Sequence, residues 1–508
     1  MDQTATIDFL SSGKAFATDD PVEVVQTHGA LVFLCGDTAL KLKRAVTYDY
    51  MDMGTPDLRH GLLLRELELN RPFAPEIYRD VLPVTQGRDG LMLDGEGPVV
   101  DWVLRMWRFP AENELERIAE RGAFDESLAD ATGAAIAAYH AQAPVIDRAG
   151  SPLIADILAE LGRVFAEFPG AAGTGRLAEW QADADAALAV LRPLLDTRGQ
   201  EGHVRRAHGD LHLRNLVLID GRPVPFDALE FDETLGTCDV LYDIAFLVMD
   251  LCHRGLGRQA CRVLDAWLRE ARGSEDRGLA ALPLFLSVRA AIRAMVLLQT
   301  DAARNIPGAS ADEVDAYLDL ACAALETRPP VLIAVGGFSG SGKSVLARSI
   351  APHLGALPGA VLLNSDRERK AGAAQTARLD PADYGAEQRA AVYRAMLDRA
   401  QVILSAGQSV ILDATFTDPR LRAAAEEVAE QAGVPFQGLW LEVPEPVLAA
   451  RVRARKGDVS DADTDVLAVQ LRAGHGPLDW DRIDGDGAPD TITDRALALP
   501  LIGQRPPR

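Results

Sequence analysis

Apolar runs of a few residues, parted by turn residues, open the chain over residues 21 to 43. VFLCGDTALKLK sets Gly36-Asp37 between two strand-like pieces, a spacing that predicts a β-hairpin. From about Leu58 the period becomes helical, with Leu62, Leu63, Glu66 and Leu69 at helical intervals in RHGLLLRELELN. Strand character returns at Val99 in VVDWVLRMWRF. Residues 115 to 195 then read as alanine- and leucine-rich helix, broken at Pro144, Pro169 and Gly170 to Gly175. Strands and one helix first, helices afterwards, predict a small sheet lobe joined to a larger helical lobe.

A polar loop, HGDLHLRN, interrupts the helices at 208 to 215. It feeds the strand LVLI, an Asp220-Gly221 turn and a second strand, PVPFD. A polar loop leading into a hairpin is a poor way to fill a helical core, so it calls for a functional reason. Helices resume at Tyr242 and run to Leu325, where ETRPP places two prolines together. Beyond this break the pattern alternates: VLIAV, helix after Lys343, VLLNSD, helix from about Ala386, SVILDAT, helix from Pro419, FQGLWLEV, helix from Pro446. Such alternation predicts a parallel sheet covered by helices on both faces. The expected organisation is a domain over 1–325, a linker at 326–330, a second domain over 331–500 and a loose tail at 501–508.

The length of 508 residues exceeds what one core supports, in keeping with two domains. A hydrophobic content of 48% with 25% charged residues gives no sign of disorder. The formal charge of −23 argues against a nucleic-acid partner and favours a small substrate. Cys35, Cys238, Cys252, Cys261 and Cys322 form no CxxC pair, which fits a reduced setting. The start, MDQTATIDFLSSGKAF, lacks the basic-then-apolar run of a secretion signal, and no stretch reads as a membrane span. The expectation is a cytoplasmic protein; oligomeric state is not read from the sequence.

GFSGSGKS, Gly337 to Ser344, lies between the strand VLIAV and a helix. Gly337, Gly340 and Gly342, with Ser341 between the last two, let backbone N–H groups turn toward phosphate oxygens, and the helix adds its positive end. Lys343 would reach the β- and γ-phosphates and Ser344 would hold magnesium. Asp366, after the second strand, is placed either to draw a proton from an attacking hydroxyl or to cap the next helix. Arg369 is either a clamp for a substrate phosphate or a solvated side chain. Asp413, ending VILD, would hold magnesium through water or orient Ser344. In RVRARK, Arg451 and Arg455 share a helical face and could close over the triphosphate.

GFSGSGKS, LLNSD with Arg369, VILDAT and RVRARK together resemble P-loop kinases of the gluconate kinase, zeta-toxin and polynucleotide kinase type, over about Val331 to Leu471. The resemblance implies that Asp366 activates the accepting hydroxyl and that Arg451 and Arg455 are lid arginines on the phosphates. It implies ATP, or GTP, as the phosphate donor.

In the first domain, Asp210 is a candidate to take a substrate hydroxyl's proton, and Asn215 and Asp227 are candidates to hold magnesium against ATP phosphates. His208 would fix the loop by hydrogen bonds, and His212 is either a pocket residue or a surface one. His208, Asp210, Asn215 and Asp227 resemble the aminoglycoside phosphotransferase and choline kinase superfamily, over roughly residues 20 to 310. That superfamily has the two-lobed protein-kinase-like fold. The resemblance implies a nucleotide-anchoring lysine on an early strand, Lys41 or Lys43, with Lys41 preferred; alternation puts both on one face. Its ion-pair partner would be Glu66, then Glu68, and Asp239 and Asp243 would hold the helical lobe together. Two departures stand out. Thr27 to Ala30 carries no GxGxxG loop, and ALEFDE replaces a glycine-containing segment after Asp227, so that Glu230 helps with metal or the lobe has lost transfer activity.

The combination resembles bacterial proteins in which an aminoglycoside-phosphotransferase-like domain is fused to an ATP-binding P-loop kinase domain. The fold expected is thus multidomain, α+β then α/β. The leading expectation is a bifunctional ATP- and magnesium-dependent phosphotransferase acting on small-molecule hydroxyls. The alternatives are a P-loop kinase with a non-catalytic N-terminal binding domain, and a nucleotide-controlled interaction module.

Overall fold

A computed structural model describes residues 3–18, 20–27, 29–48, 51–168, 174–370, 386–454 and 463–503. The chain begins with α1 (Thr4–Ser11), β1 (Glu23–Gln26), β2 (Ala30–Cys35), β3 (Thr38–Lys43), the short pair β4 (Thr47–Tyr48) and β5 (Met51–Asp52), α2 (Pro56–Asn70), β6 (Tyr78–Gly87), β7 (Gly90–Leu93) and β8 (Val99–Trp107). Six of these strands form an antiparallel sheet in the order β1-β2-β3-β8-β6-β7. The Gly36-Asp37 turn joins β2 to β3 as the pattern predicts. The pattern does not reveal β6 and β7, because Pro83 and the polar Arg79 and Asp80 break the apolar alternation. Alternate residues face inward, so that Phe33, Leu40, Leu42, Val84 and Val103 form a core with Leu10 of α1. Thr55 caps α2 and Pro56 stands at its first position, which is why the helix starts there.

Next come α3 (Leu115–Glu120), α4 (Glu126–Gln142), α5 (Ser151–Glu167), α6 (Thr174–Gln200), β9 (Val204–Arg206), β10 (Leu216–Ile219), β11 (Arg222–Pro225), β12 (Thr237–Asp239), α7 (Val240–His253), α8 (Gly257–Glu270), α9 (Leu282–Ala303) and α10 (Ala311–Leu325). β10 and β11 form the expected hairpin around Asp220-Gly221. Its second strand stops at Pro225, so Asp227 lies beyond it, with φ of +61°.

The C-terminal elements are β13 (Leu332–Gly336), α11 (Lys343–Ile350), β14 (Val361–Asn364), α12 (Ser365–Arg369), α13 (Ala386–Ser405), β15 (Val410–Asp413), α14 (Pro419–Ala432), β16 (Phe436–Glu442), α15 (Glu445–Ala454), α16 (Thr464–Ala473), β17 (Asp481–Asp484) and α17 (Pro489–Leu497). All the strands are parallel, in the order β14-β15-β13-β16-β17. The edge strand β17 is additional to the expected four; its sequence, DRID, has one buried residue and gives no apolar run. The tail is not loose where it is described, since Ile502 is 1% exposed and packs with Ile333, Leu346 and Leu439.

By packing, the chain forms two compact units: residues 1–125 with 139–148 and 201–243, and residues 126–138 with 149–200 and 244–508. The second therefore holds most of the helices together with the parallel sheet. The segment Asp276–Ala303, against expectation, is long and apolar enough to cross a membrane, with mean hydropathy 1.8. Leu282, Phe285, Leu286 and Ala290 within it are nevertheless buried, and Ser287 bonds Trp180 and the Ala321 carbonyl, so that it serves as a core helix.

Candidate active sites

In the first unit β3 carries Lys41 and Lys43 on the face that meets α2. Glu66, with no exposed surface, lies between them, its Oε1 2.7 Å from Lys41 Nζ and its Oε2 2.7 Å from Lys43 Nζ. The two lysines part company at their second partners. Lys41 reaches Asp227 Oδ1 at 2.6 Å, whereas Lys43 is held by Glu230. Glu68 instead pairs with Arg65. Burial alone would lower both ammonium pKa values, but Asp227 and Glu66 hold Lys41 well above the ordinary range and Glu230 and Glu66 raise Lys43. Glu230 is thus taken up by a buried lysine and is not presented as a metal ligand. Burial pushes its carboxyl upward against the pull of Lys43.

Asp227 keeps 41% of its side chain exposed. Its main-chain N–H donates to the Tyr78 hydroxyl at 3.0 Å, and the next N–H, of Ala228, donates to Asn70 Oδ1 at 2.8 Å. These bonds fix a left-handed residue that costs energy elsewhere. Desolvation would raise the Asp227 carboxyl, but Lys41 and Lys43 outweigh it and hold the group below the usual range.

The polar loop is fastened from beneath. Asp243, fully buried, accepts the N–H groups of His208 at 3.1 Å and Gly209 at 2.8 Å and meets His140 Nε2 at 3.0 Å. Its work is on the loop, where the sequence suggested a general role in the lobe. His208 Nε2 is 2.9 Å from the Phe226 carbonyl, tying the loop to the hairpin end, and burial lowers its pKa so that the neutral ring donates there. Asn215 donates its amide to the Asp210 carbonyl at 2.8 Å and to Asp210 Oδ2 at 3.0 Å. The Asp210 side chain remains 43% exposed, with His212 Nε2 3.4 Å away. A carboxylate able to take a proton is thus held still while facing solvent.

In the second unit β13 ends at Gly336 and the loop turns through Gly337, Gly340 and Gly342, with φ of +144°, +89° and +95°. A Cβ on Gly337 would stand 2.7 Å from Ser341 Oγ, and one on Gly340 would stand 2.9 Å from the Leu448 carbonyl, so neither position admits a side chain. Lys343 folds over the loop to the Phe338 carbonyl at 3.1 Å. Gln470 of α16 clamps Ser339 through its main-chain N–H at 2.9 Å and its hydroxyl at 3.1 Å. Asn364 donates to Asp413 Oδ2 at 2.6 Å and to Ser344 Oγ at 3.5 Å. Burial raises the Asp413 carboxyl, opposed by Lys343, Ser344 and Asn364. Ser344 with Asp413, and Asn215 with Asp227, offer only hard oxygen ligands, which suit magnesium.

The side chain of Asn364, not that of Asp366, caps α12, accepting from the N–H groups of Asp366 and Arg367 at 3.1 and 2.9 Å. Asp366 is thereby released to line a cleft of about 290 Å³ with the glycine loop, Lys343, Ser344 and Asp413. Arg369 pairs with Asp366 at 2.8 Å and is not among the lining residues; Arg367 is. Arg451 lines the cleft too, but its guanidinium is engaged by the carbonyls of Gly485 at 3.0 Å and Ser341 at 3.4 Å, bracing the loop from behind. Arg455 lies outside the described residues. Asn70, Tyr78, Arg367 and Gln470 escaped the sequence reading, since each depends on a partner distant in the chain.

Residues 112–282 match the Phosphotransferase enzyme family, and residues 332–477 match an AAA domain. The uncharacterized protein Rv2004c of Mycobacterium tuberculosis is 31% identical over 496 residues, covering 92% of this chain and 94% of its own length; Mb2027c of Mycobacterium bovis matches equally. Among solved structures, a choline/ethanolamine kinase family protein from Mesorhizobium loti aligns over 64% of this chain and 95% of its own, at 14% identity and a TM-score of 0.39. A gluconokinase from Sinorhizobium meliloti aligns over 34% of this chain and 91% of its own, at 24% identity and a TM-score of 0.25. The chain belongs to the family of these mycobacterial proteins, and it is itself a two-domain kinase in which an aminoglycoside-phosphotransferase-like domain with the protein-kinase-like fold is followed by a P-loop kinase domain.

Proposed function

We propose that the protein is a bifunctional ATP-dependent phosphotransferase with two magnesium-nucleotide sites, each passing phosphate to the hydroxyl of a small molecule. The observation that carries this reading is that each site has its own lysine, its own oxygen ligands and its own partly exposed carboxylate. In the first, Lys41 is held by Glu66 and Asp227, and Asp210 stands in the loop beside Asn215. In the second, Lys343, Ser344, Asp413 and Asp366 share one cleft.

Lys41 would bind the donor phosphates, with Glu66 setting its position. Asp210 would accept the proton of the attacking hydroxyl as its oxygen approaches the γ-phosphorus. Asn215 and Asp227 would hold magnesium. In the P-loop site Lys343 and the loop would hold the triphosphate, Ser344 and Asp413 the metal, and Asp366 the acceptor's proton. Magnesium would supply neutralisation of the phosphate charge at both sites. Calorimetry with a non-hydrolysable ATP analogue and magnesium tests this: two sites are expected in the whole protein. A single site that vanishes with Lys343→Ala would leave the N-terminal domain non-catalytic and refute the bifunctional reading.

A further inference from the structure

The P-loop cleft has a wall that the P-loop kinase segment does not provide. Arg262, from α8 in the helices that precede it, lines the cleft beside Arg367 of α12. All these elements belong to one compact unit. Arg262 donates to Asp130 Oδ1 of α4 at 2.8 Å, Arg367 donates to the same oxygen at 3.1 Å, and Arg269 reaches it at 3.2 Å. One carboxylate oxygen thus serves three guanidinium groups, each with five N–H donors. Of the neighbouring carboxylates, Asp265 spends an oxygen on the Leu362 N–H, and Glu270 accepts from Arg269 Nε at 3.2 Å, giving a second partner to Arg269 and leaving Arg262 and Arg367 to share Asp130.

Arg262 has only 7% of its side chain exposed, and its Nε has no hydrogen-bond partner. A buried donor left unmade costs free energy, and a group that later satisfies it recovers that cost. Arg367 shares the Asp130 oxygen and lines the same cleft; burial and the like charge of Arg262 lower its pKa, and Asp130 offsets this only in part. Both arginines are held in place by Asp130, and both line the cleft that Asp366 lines.

We infer that Arg262 and Arg367 form an anion-binding wall for the acceptor of the P-loop site, so that this kinase takes an alcohol bearing a phosphate or carboxylate group and the helical region supplies a specificity-determining arginine. The inference rests on the P-loop site being a kinase site. The paired guanidiniums would hold the anionic group and leave the hydroxyl free to approach Asp366.

The test uses the full-length protein saturated with magnesium and the non-hydrolysable ATP analogue, with glycerol 3-phosphate, glycerate and glycerol as probes followed by saturation-transfer NMR. Wild type is expected to bind one or both anionic probes and not glycerol; which anion binds tells phosphate from carboxylate. Arg262→Ala is expected to weaken that binding roughly ten- to hundredfold, the loss of one charge-assisted hydrogen bond, with nucleotide affinity unchanged. Arg262→Lys, which keeps the charge and the contact with Asp130 but loses the planar fork, is expected to fall between, and it carries the comparison if the alanine variant does not fold. Absence of anion binding to the loaded wild type, binding of glycerol equal to that of the anions, or unchanged binding in the variants overturns the inference and makes Arg262 a packing residue. Failure of the nucleotide analogue to bind at Lys343 would instead remove the kinase reading on which it rests.

Discussion

Glu66→Gln should loosen the first site by an amount that the geometry bounds. Each Glu66 oxygen takes one ammonium, Lys41 and Lys43 both at 2.7 Å, and neither oxygen sees solvent. Glutamine keeps one acceptor oxygen, but its NH2 group turns two hydrogens toward the other ammonium. Breaking a buried ion pair costs about 3–5 kcal/mol when it strands a charge. Here neither lysine is stranded, because Asp227 still faces Lys41 and Glu230 still faces Lys43. The loss should therefore fall to about 2–3 kcal/mol, nearer the cost of one unsatisfied buried donor. With two compact units a single unfolding free energy is not defined, so the readout is amide hydrogen exchange of β3 and α2. Exchange there should quicken roughly thirty- to 150-fold, while α11 is unaffected. Quickening below about fivefold would mean that the carboxylate is not needed between the lysines.

Lys343→Ala should remove nucleotide turnover at the P-loop site without lowering the stability of the sheet, since its Nζ donates to a carbonyl of the loop itself, that of Phe338, at 3.1 Å; circular dichroism and single-site calorimetry check both halves. Asp227→Ala should weaken magnesium-nucleotide binding at the first site, whereas Asp210→Ala should lower turnover and leave binding intact; equal binding loss in both would refute separate roles. His208 gives a pH test. Its folded pKa is depressed, so its contribution is present above the ordinary histidine value of about 6.5 and lost as pH falls below it, by at most about 1.4 kcal/mol per pH unit. Protection factors of the 208–215 loop amides, which allow for the slower intrinsic exchange at lower pH, should fall in that range in wild type, and the fall should flatten in His208→Gln.

How far the sequence discloses these sites depends on how local their chemistry is. Gly337 to Ser344 is legible because the loop's own backbone demands glycine and its ligands are contiguous. Lys41 and Lys43 stay ambiguous because alternation places both against Glu66, and the structure bears this out. They differ only through Asp227 and Glu230, 186 and 187 residues along the chain from their respective lysines. Asp366 misleads in a smaller way: any Asn or Asp at that turn could cap α12, and Asn364 takes the position. β17 is invisible because an edge strand has only one neighbour and can be polar, and Gln470 is invisible because its partner, Ser339, lies across the fold.

The break at 326–330 separates two chemistries but does not separate two packings. β14 is an edge strand, and its outward Leu362 N–H is met by the Asp265 carboxylate of α8 at 3.0 Å. Burial raises that carboxyl to about 6, so the bond is made by a group that would rather be solvated and is retained for what it holds. Beside it, Arg399 of α13 bonds Asp276 at 2.8 and 3.0 Å and Glu368 of α12 at 2.6 Å, while Cys261 packs in the same core as Ile333 and Leu346. A chain cut at 326–330 would leave the Leu362 N–H, Arg367 and one side of Arg399 without these partners; the first two lie on β14 and on α12, which carries Asp366, and Arg399 of α13 bonds Glu368 of that same helix. The glycine loop is braced from within the C-terminal segment, by Gln470 and Arg451, although α11 behind it also meets the earlier helices, Leu346 through Cys261 and Arg348 through Glu126. Phosphate binding should therefore survive in such a fragment better than acceptor chemistry does. The helices before the break do for the acceptor side what Gln470 and Arg451 do for the glycine loop on the donor side.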